Sequence, residues 1–344
     1  MSDKILIVRL SAIGDVIHAL PALHALKTAF PDATVDWLVE DLSAQILKGH
    51  PMIGDVHVFR KAWRRQIRTH FFKDIIPFFK GLRARGYDWA IDFQGLTKSG
   101  LAAYFSGARR IIGFGDEDGR EFNKLFTNVK VRPAPGLHVV EKNLALLKSL
   151  GITSPEIVFP LPHFREEFPE FTRTGFAVIN PGAGWPTKRI PLETLARLGA
   201  FLNREKGLDI IITWGPGEEK MTEMLLTQIR ALNASAEAAP PTKLRQLCAL
   251  ISRAALYVGG DTGPTHMAAA LGVPVLSFFG ASDAKRNGPR GSRCITLQNR
   301  GIPCVPCWKT RCRFTDNRHI ECLKSLSAEN LIEAACSLLE MSEP

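Results

Sequence analysis

The sequence predicts an α/β protein of two doubly wound domains that face a central cleft, and three observations carry this prediction. The 344 residues are enough for two domains of ordinary size. Short apolar runs, which suit strands buried on both faces of a parallel sheet, alternate with amphipathic helical patterns. Each half of the chain begins with such a run, and a turn that contains glycine follows it.

The N-terminal domain is predicted over residues 1–160. Its first strand is the apolar run 5–8, and a helical pattern follows through Val16, Leu20, Leu23 and Leu26. Pro21 must lie near the first turn of this helix or kink it. Further strands are expected at 34–39, 56–59, 89–93 and 110–114.

The C-terminal domain is predicted over residues 175–325 and restarts with a strand at 176–179. Helices are expected near 192–205, 218–232, 243–253 and 264–271, and strands at 209–213, 256–258 and 274–278. The stretch 153–174 is rich in Pro, Phe and Glu and is predicted to be a linker. A last helix, about 327–340, has an apolar face.

Composition and charge limit the function. A net charge of +10, with clustered basic residues, favours an anionic partner such as a nucleotide, a nucleic acid or an anionic lipid. No apolar stretch is long and unbroken enough to span a membrane, and the first apolar run stops at Arg9, unlike a secretory signal. Seven cysteines without such a signal argue against a disulfide framework. We therefore expect a cytoplasmic protein.

The loop after the first strand contains Gly14 and Asp15. It lies where ligands bind in such sheets, beyond the carboxyl end of the strand, although it lacks the G-x-G-x-x-G pattern of dinucleotide sites. Asp15 sits at the predicted helix start, so it is either an N-cap or a general base that faces the cleft.

Two segments of the second half are candidate anion sites. The sequence 180–189 has two glycines after a strand, followed by Lys188, which suits backbone and charge contacts to an anion. In 258–270, a glycine turn leads into a helix with Thr262 as its expected N-cap and Pro264 near its first position. The helix start would bind a phosphate, and His266 could donate to it. An acidic residue at the start of the 218–232 helix could accept from ribose hydroxyls.

A basic cluster and a cysteine cluster complete the candidates. The basic residues surround Trp63, without acidic residues from 56 to 73, and indicate a docking surface for phosphates or anionic headgroups. They are Arg60, Lys61, Arg64, Arg65 and Arg68. Cys304, Cys307, Cys312 and Cys322 could hold zinc, but their spacing is irregular, and free thiols are the favoured interpretation.

Four ordered segments resemble glycosyltransferase family 9, the ADP-heptose:lipopolysaccharide heptosyltransferases. They are R-L-S-A-I-G-D at 9–15, D-F-Q-G-L-T-K-S at 92–99, P-G-A-G-W-P-T-K-R at 181–189 and G-G-D-T-G-P-T-H-M-A-A-A-L-G at 259–272. Within the family, residues 36–40, the basic stretch and Y-D-W-A-I-D-F-Q-G-L are most similar to heptosyltransferase I.

The resemblance implies a GT-B fold with two Rossmann-like domains, the acceptor on the first and ADP-heptose on the second, and a helix at 326–344 that returns to the first domain. It implies inverting transfer to the Kdo of the lipopolysaccharide inner core, without a cofactor or a catalytic metal. Asp15 becomes the catalytic aspartate. Arg60, Lys61, Arg64 and Lys98 become acceptor-binding. The donor-binding positions become Ala183, Gly184, Lys188, Glu218 (or Glu219), Thr242, Asp261, Thr262, Gly263 and His266.

Three of these positions depart from the family pattern. A hydroxyl pair before the lysine is replaced by Ala183 and Gly184, so any donor contact there would use backbone N–H groups. A methionine of the family is Thr242 in this chain.

The implied partners are ADP-heptose, Kdo-lipid A and the anionic inner membrane, touched peripherally on its cytoplasmic face, with no nucleic acid. The alternatives are heptosyltransferase II or III, another family 9 sugar transferase, and a nucleotide-sugar epimerase on the same fold. A basic two-domain protein that binds RNA is a further alternative, although the sequence has no recognisable RNA-binding motif.

Overall fold

The computed structural model describes residues 3–115 and 117–341. The chain divides into two compact units, Met1–Pro162 and His163–Pro344, and their boundary lies inside the predicted linker. Each unit contains one six-stranded parallel sheet with helices, which confirms the predicted α/β class with two doubly wound domains.

The first sheet has the strand order β3-β2-β1-β4-β5-β6. Its strands are β1 (Lys4–Val8), β2 (Thr34–Glu40), β3 (Val56–Phe59), β4 (Trp89–Asp92), β5 (Arg110–Phe114) and β6 (Val129–Val131). Its helices are α1 (Ile13–Ile17), α2 (Leu20–Ala29), α3 (Asp41–Leu47), α4 (Lys61–Arg65), α5 (Ile67–His70), α6 (Ile76–Ala84), α7 (Thr97–Phe105) and α8 (Val139–Leu146). A π-helical turn, Phe71–Ile75, leads into α6.

The second sheet has the order β12-β11-β10-β7-β8-β9, which repeats the topology of the first. Its strands are β7 (Phe176–Asn180), β8 (Asp209–Ile212), β9 (Glu237–Ala238), β10 (Leu256–Gly260), β11 (Val275–Phe279) and β12 (Cys294–Gln298). Its helices are α9 (Leu192–Lys206), α10 (Glu219–Ala231), α11 (Leu244–Ile251), α12 (Gly263–Ala270), α13 (Ala284–Asn287), α14 (Glu321–Lys324) and α15 (Ala328–Glu340). Short 3₁₀ turns lie at Asn123–Leu125, Leu147–Leu150, Arg165–Glu167 and Pro186–Lys188.

The helix predicted after the first strand is two helices, α1 and α2. In a continuous helix, the ring of Pro21 would clash with the carbonyl of Ile17. The chain instead breaks at residues 18–19, and Pro21 takes an N-terminal position of α2, where a missing N–H has no cost.

The apolar face of α15 contributes to the core of the second unit, and the return of this helix to the first domain stays a prediction. In the structure, Leu331, Ala334, Ala335 and Leu338 of this helix are buried in the core of the second unit. They pack in the same cluster as residues of α9 and β11, because the apolar residues of this amphipathic helix lie on the face that is turned to this core.

Candidate active site

Arg9 organises the loop that follows β1. Its side chain is buried, and its guanidinium donates to the carbonyl of Phe93 after β4. The second terminal nitrogen, Nη2, lies 2.7 Å from Asp15 Oδ1. Arg9 O in turn accepts from Trp37 Nε1 at 3.3 Å. Strands β1, β2 and β4 therefore all contribute to holding the arginine that positions Asp15.

Asp15 is the third residue of α1, while Ala12 takes the N-cap position. The N-cap alternative for Asp15 is therefore wrong, although its Oδ2 still accepts from the Ala12 N–H at 3.1 Å. The Asp15 side chain remains 43% exposed, in contrast to the buried Arg9. The carboxylate is thus fixed in orientation and reachable by a substrate.

Lys98 connects the start of α7 to the same loop. Its Nζ lies 3.3 Å from Ser11 Oγ and 3.1 Å from Glu40 Oε1, at the ends of β1 and β2. The structure therefore brings Lys98, one of the predicted acceptor-binding residues, next to the segment that carries Asp15. Sequence reasoning missed Glu40 as its partner.

A buried carboxylate anchors α7. Asp92, at the end of β4, accepts from the N–H groups of Gln94 and Gly95, from Ser99 Oγ at 2.9 Å and from Asn123 Nδ2 at 2.6 Å. Burial raises the pKa of Asp92, and these four donors oppose the rise. The network fixes the start of α7, which holds Lys98.

The other predicted acceptor-binding residues follow β3. Arg60 is exposed, with its guanidinium 5.9 Å from the centre of the Trp63 ring, and the backbone N–H of Lys61 donates to Asp41 Oδ1 at 2.8 Å. Arg65 and Arg68 are also exposed. The Arg64 side chain lies outside the described residues. These positions share the carboxyl edge of the first sheet with Asp15, because β3, β2 and β1 are parallel neighbours.

In the second unit, the end of β10 carries a charged triad. Lys188 Nζ lies 2.6 Å from Asp261 Oδ2, and His266 Nε2 lies 3.4 Å from Asp261 Oδ1. Burial on its own would raise the pKa of Asp261, but the hydrogen bond and charge of His266 and the charge of Lys188 hold it well below its usual range. Three predicted donor-binding residues are therefore in direct contact.

Lys188 is held close to the end of β10. A Cβ atom at Gly260 would lie 2.7 Å from the Lys188 carbonyl oxygen, so only glycine permits this approach. The ammonium also lies 4.5 Å from the centre of the Trp185 ring. The cation is thus positioned by packing on two sides.

Thr262 takes the predicted N-cap position of α12, and Gly263 is the first residue of that helix. The Thr262 side chain does not cap the helix: its Oγ1 lies 3.1 Å from Thr265 Oγ1 and 3.5 Å from Asn180 Nδ2. Asn180 Nδ2 also donates to the Tyr257 hydroxyl at 3.0 Å. Burial raises the pKa of Tyr257 to about 12, so this hydroxyl stays neutral.

Glu218 lies beside the loop after β7. Its Oε2 accepts from the Gly215 N–H at 2.9 Å, and a Cβ atom at Gly182 would collide with the carboxylate. The carbonyl of Ala183 accepts from Arg189, whereas Gly184 is exposed. Thr242 lies two residues before α11.

The four clustered cysteines line one cavity of about 380 Å³, together with Thr187. Burial, followed by the nearby Cys304, Cys307 and Cys312, raises the pKa of Cys322 to about 11. Across residues 3–115 and 117–341, no three His, Cys, Asp or Glu side chains are arranged to hold a metal ion. All four thiols are free of disulfides.

Among the described residues, no helix is both long and apolar enough to pass through a bilayer.

Besides Glu40, sequence reasoning missed Arg9, Asn180 and Tyr257. Arg9 had a signal, because a charge directly after a buried strand is unusual. Asn180 also had one, because it is a polar residue at the end of the buried strand β7, beside the predicted anion loop. Tyr257 had none, because an aromatic residue inside a buried strand has the pattern of an ordinary core residue.

Comparisons with known proteins identify the family of the chain. The family model described as glycosyltransferase family 9 (heptosyltransferase) matches residues 75–317. Lipopolysaccharide heptosyltransferase 1 of Pseudomonas aeruginosa is 31% identical over 316 residues, 90% of this chain and 88% of the relative. The protein of the same name from Escherichia coli K12 is 32% identical over 292 residues, 81% of this chain and 88% of the relative.

The solved structures include a similar protein, the E. coli heptosyltransferase WaaC with ADP-2-deoxy-2-fluoro heptose. It matches with a TM-score of 0.76 and 27% identity, covering 97% of this chain and 99% of that chain. The implied GT-B class, with two Rossmann-like domains, is thereby confirmed. On the family match and the similarity to the P. aeruginosa relative, the chain belongs to glycosyltransferase family 9 and is a glycosyltransferase.

Proposed function

We propose that this chain transfers heptose, with inversion, from ADP-L-glycero-β-D-manno-heptose to the Kdo of Kdo-lipid A. The observation that carries the proposal is the similarity to E. coli WaaC, whose structure was solved with a fluorinated ADP-heptose. This similarity extends over nearly all of both chains. The heptosyltransferase 1 relatives from two organisms support the same acceptor.

The donor diphosphate binds at the triad of the second unit. Lys188 Nζ forms an ion pair with the Asp261 carboxylate at 2.6 Å and donates to the Asp261 carbonyl at 3.4 Å. Because an ammonium has three N–H donors, it can also donate to a phosphate oxygen. The N-terminus of α12, which begins at Gly263, contributes backbone N–H groups and the positive end of its dipole.

These groups stabilise the reaction where charge develops. As the bond from the anomeric carbon to the phosphate oxygen breaks, negative charge builds on the departing ADP. Lys188, His266 and the α12 N-terminus are fixed before the reaction, so they stabilise that charge without reorganising. Glu218 accepts from ribose hydroxyls, and the loop at Ala183 and Gly184 offers backbone N–H groups. The role of Thr242 in donor binding is proposed from the resemblance alone.

Asp15 is the general base. Its Oδ1 is paired with Arg9, and its Oδ2 accepts a hydrogen bond from the Ala12 N–H. Each carboxylate oxygen can still accept a further hydrogen bond. The exposed side of the carboxylate accepts the proton of a Kdo hydroxyl as that oxygen attacks the anomeric carbon. Attack opposite to the departing ADP, in one displacement, inverts the anomeric configuration.

The acceptor is bound through its anionic groups. Lys98, on α7, contacts Ser11 of the Asp15 loop, and the exposed Arg60 and Lys61 lie at the same edge of the sheet. Together with Arg64 they would bind the phosphates and the Kdo carboxylates. Exposed Arg65, Arg68 and Phe72 suit peripheral contact with the anionic cytoplasmic face of the inner membrane. No nucleic acid and no cofactor takes part in this reaction.

The test is mass spectrometry of products from ADP-heptose with two defined acceptors, Kdo-lipid A and its heptosylated form. We expect one added heptose on Kdo-lipid A, with one ADP released per transfer. Product only on the heptosylated acceptor would assign the chain to heptosyltransferase II instead. Conversion of the donor without any acceptor would indicate an epimerase.

A further inference from the structure

A large apolar cavity lies beside the catalytic loop, and of its lining the proposed mechanism uses only Lys98. Its volume is about 530 Å³, and every residue that lines it belongs to the first unit. The wall is formed mainly by α6, α7 and the π-helical turn, through Phe71, Ile76, Phe79, Leu101 and Phe105. Leu10, five residues before Asp15, also lines it.

The wall of this cavity is open to solvent. Phe71, Leu101 and Phe105 are 41%, 37% and 43% exposed, although large apolar side chains favour burial. The ring centres of Phe79 and Phe105 lie 5.4 Å apart, so α6 and α7 meet through aromatic side chains in this wall. An apolar surface of this kind, at the mouth of a cavity, marks a binding site for an apolar group.

The charges at the cavity specify what accompanies that apolar group. Lys80, Arg83 and Lys98 line it, against a single carboxylate, Glu40, which is already paired with Lys98 at 3.1 Å. The net charge of the lining is positive, and Lys80 and Arg83 are exposed. The complementary ligand has an apolar chain and an anionic head, which is the chemistry of a phosphorylated lipid.

We propose that this cavity binds one fatty acyl chain of the acceptor lipid, with the anionic group of the acceptor nearest to that chain at Lys80 and Arg83. The inference rests on the proposed function and adds an acyl-binding subsite to it. Leu10 and Lys98 both line the cavity; Leu10 belongs to the loop of Asp15, and Lys98 contacts that loop. An acyl chain bound in the cavity therefore holds the acceptor next to the base. The acceptor is thus recognised by its lipid as well as by its sugar.

The experiment compares two acceptors that differ only in their acyl chains. Initial rates are measured with saturating ADP-heptose and either a monomeric, short-chain Kdo-lipid A or its fully deacylated form. Each buried methylene strengthens binding by about fourfold. We therefore expect the acylated acceptor to have a KM at least about tenfold lower, which corresponds to fewer than two fully buried methylenes.

The variant F105D places a charge in the wall, and we expect its two KM values to converge because the value for the acylated acceptor rises. F122D is the matched control: Phe122 is 69% exposed and does not line the cavity, so the acyl preference should persist. Equal thermal unfolding midpoints for both variants and the parent show that they are folded.

Product from both acceptors with equal KM in the parent chain would overturn the acyl subsite and leave the proposed function intact. Product from neither acceptor would instead contradict the proposed function. A short-chain phosphatidylglycerol arm tests the source of the chain. If this phospholipid inhibits the reaction at concentrations as low as the KM of the acylated acceptor, the cavity is not specific for the acyl chain of the acceptor, and the assignment is overturned. Much weaker inhibition would support the assignment.

Discussion

Replacing Lys188 with methionine tests the triad of the second unit. The variant K188M keeps most of the side-chain volume and removes the ammonium that lies 2.6 Å from Asp261. The two side chains are 17% and 7% exposed, so the carboxylate is left buried beside His266 alone. Breaking a buried pair by removing one partner costs about 3–5 kcal/mol, and because His266 remains, we expect about 3 kcal/mol.

The expected change is measurable by calorimetry of the full chain. For a unit of this size, about 3 kcal/mol lowers the unfolding midpoint by about 6–12 °C. The transition of the second unit should shift by this amount, while that of the first unit stays in place. The same variant should bind ADP about tenfold or more weakly, because a hydrogen bond to a charged group contributes about 1.5–3 kcal/mol.

Two further variants separate the ion pair from other effects. In K188M/D261N the unpaired charge is gone, so at least half of the lost stability should return. Lys220, which is exposed on α10, provides the matched control, and K220M should leave the midpoint within about 2 °C, the effect of a surface substitution of up to about 0.5 kcal/mol. A midpoint in K188M as high as in K220M would refute the triad as an energetic unit.

Three more predictions concern the base, the donor loop and pH. D15N should lower kcat by about 10²–10⁴-fold, because general-base catalysis contributes that much. The Kd of ADP, measured by titration calorimetry, should be nearly unchanged. A kcat equal to that of the parent would show that Asp15 is not the general base. G182A should weaken ADP binding, because the new methyl group displaces the Glu218 carboxylate, whereas G184A, with open space around Gly184, should not; equal Kd values would contradict this contact. The lowered pKa of Asp261 stabilises the fold above the unfolded-state pKa of about 3.9, and this stability is lost as pH falls through the folded value. The midpoint difference between the parent and D261N should therefore be largest at neutral pH and shrink below about pH 4; a difference that does not depend on pH would exclude ionisation of Asp261 as its source.

The fold was predictable where a short run of mostly apolar residues marks a strand. The expected strands at 56–59 and 110–114 match β3 and β5 residue for residue. Strand β12, Cys294–Gln298, was missed because the polar residues Thr296 and Gln298 interrupt its apolar run. The short strands β6 and β9 give too few residues for any period to be visible.

The candidate donor site was predictable for residues that adjoin turns. Lys188, Asp261 and His266 stand out because they accompany glycines after strands, and the structure joins them in one triad. The contact of Asn180 with Tyr257 was not predictable, because it depends on β7 and β10 becoming neighbours across 77 positions of sequence. Such pairing follows from the crossover topology of the sheet, which local patterns do not encode.

The repeated strand order has a consequence for biosynthesis. All six strands of the first sheet precede Pro162, so the ribosome delivers the whole of that sheet before β7 is made. Long-range parallel pairing is slow, and unpaired strand edges invite aggregation while it is incomplete. Because the strands of each sheet are contiguous in the sequence, the two sheets are synthesised one after the other. The first sheet can therefore pair its strands before those of the second are made, so that unpaired strand edges come from one sheet at a time.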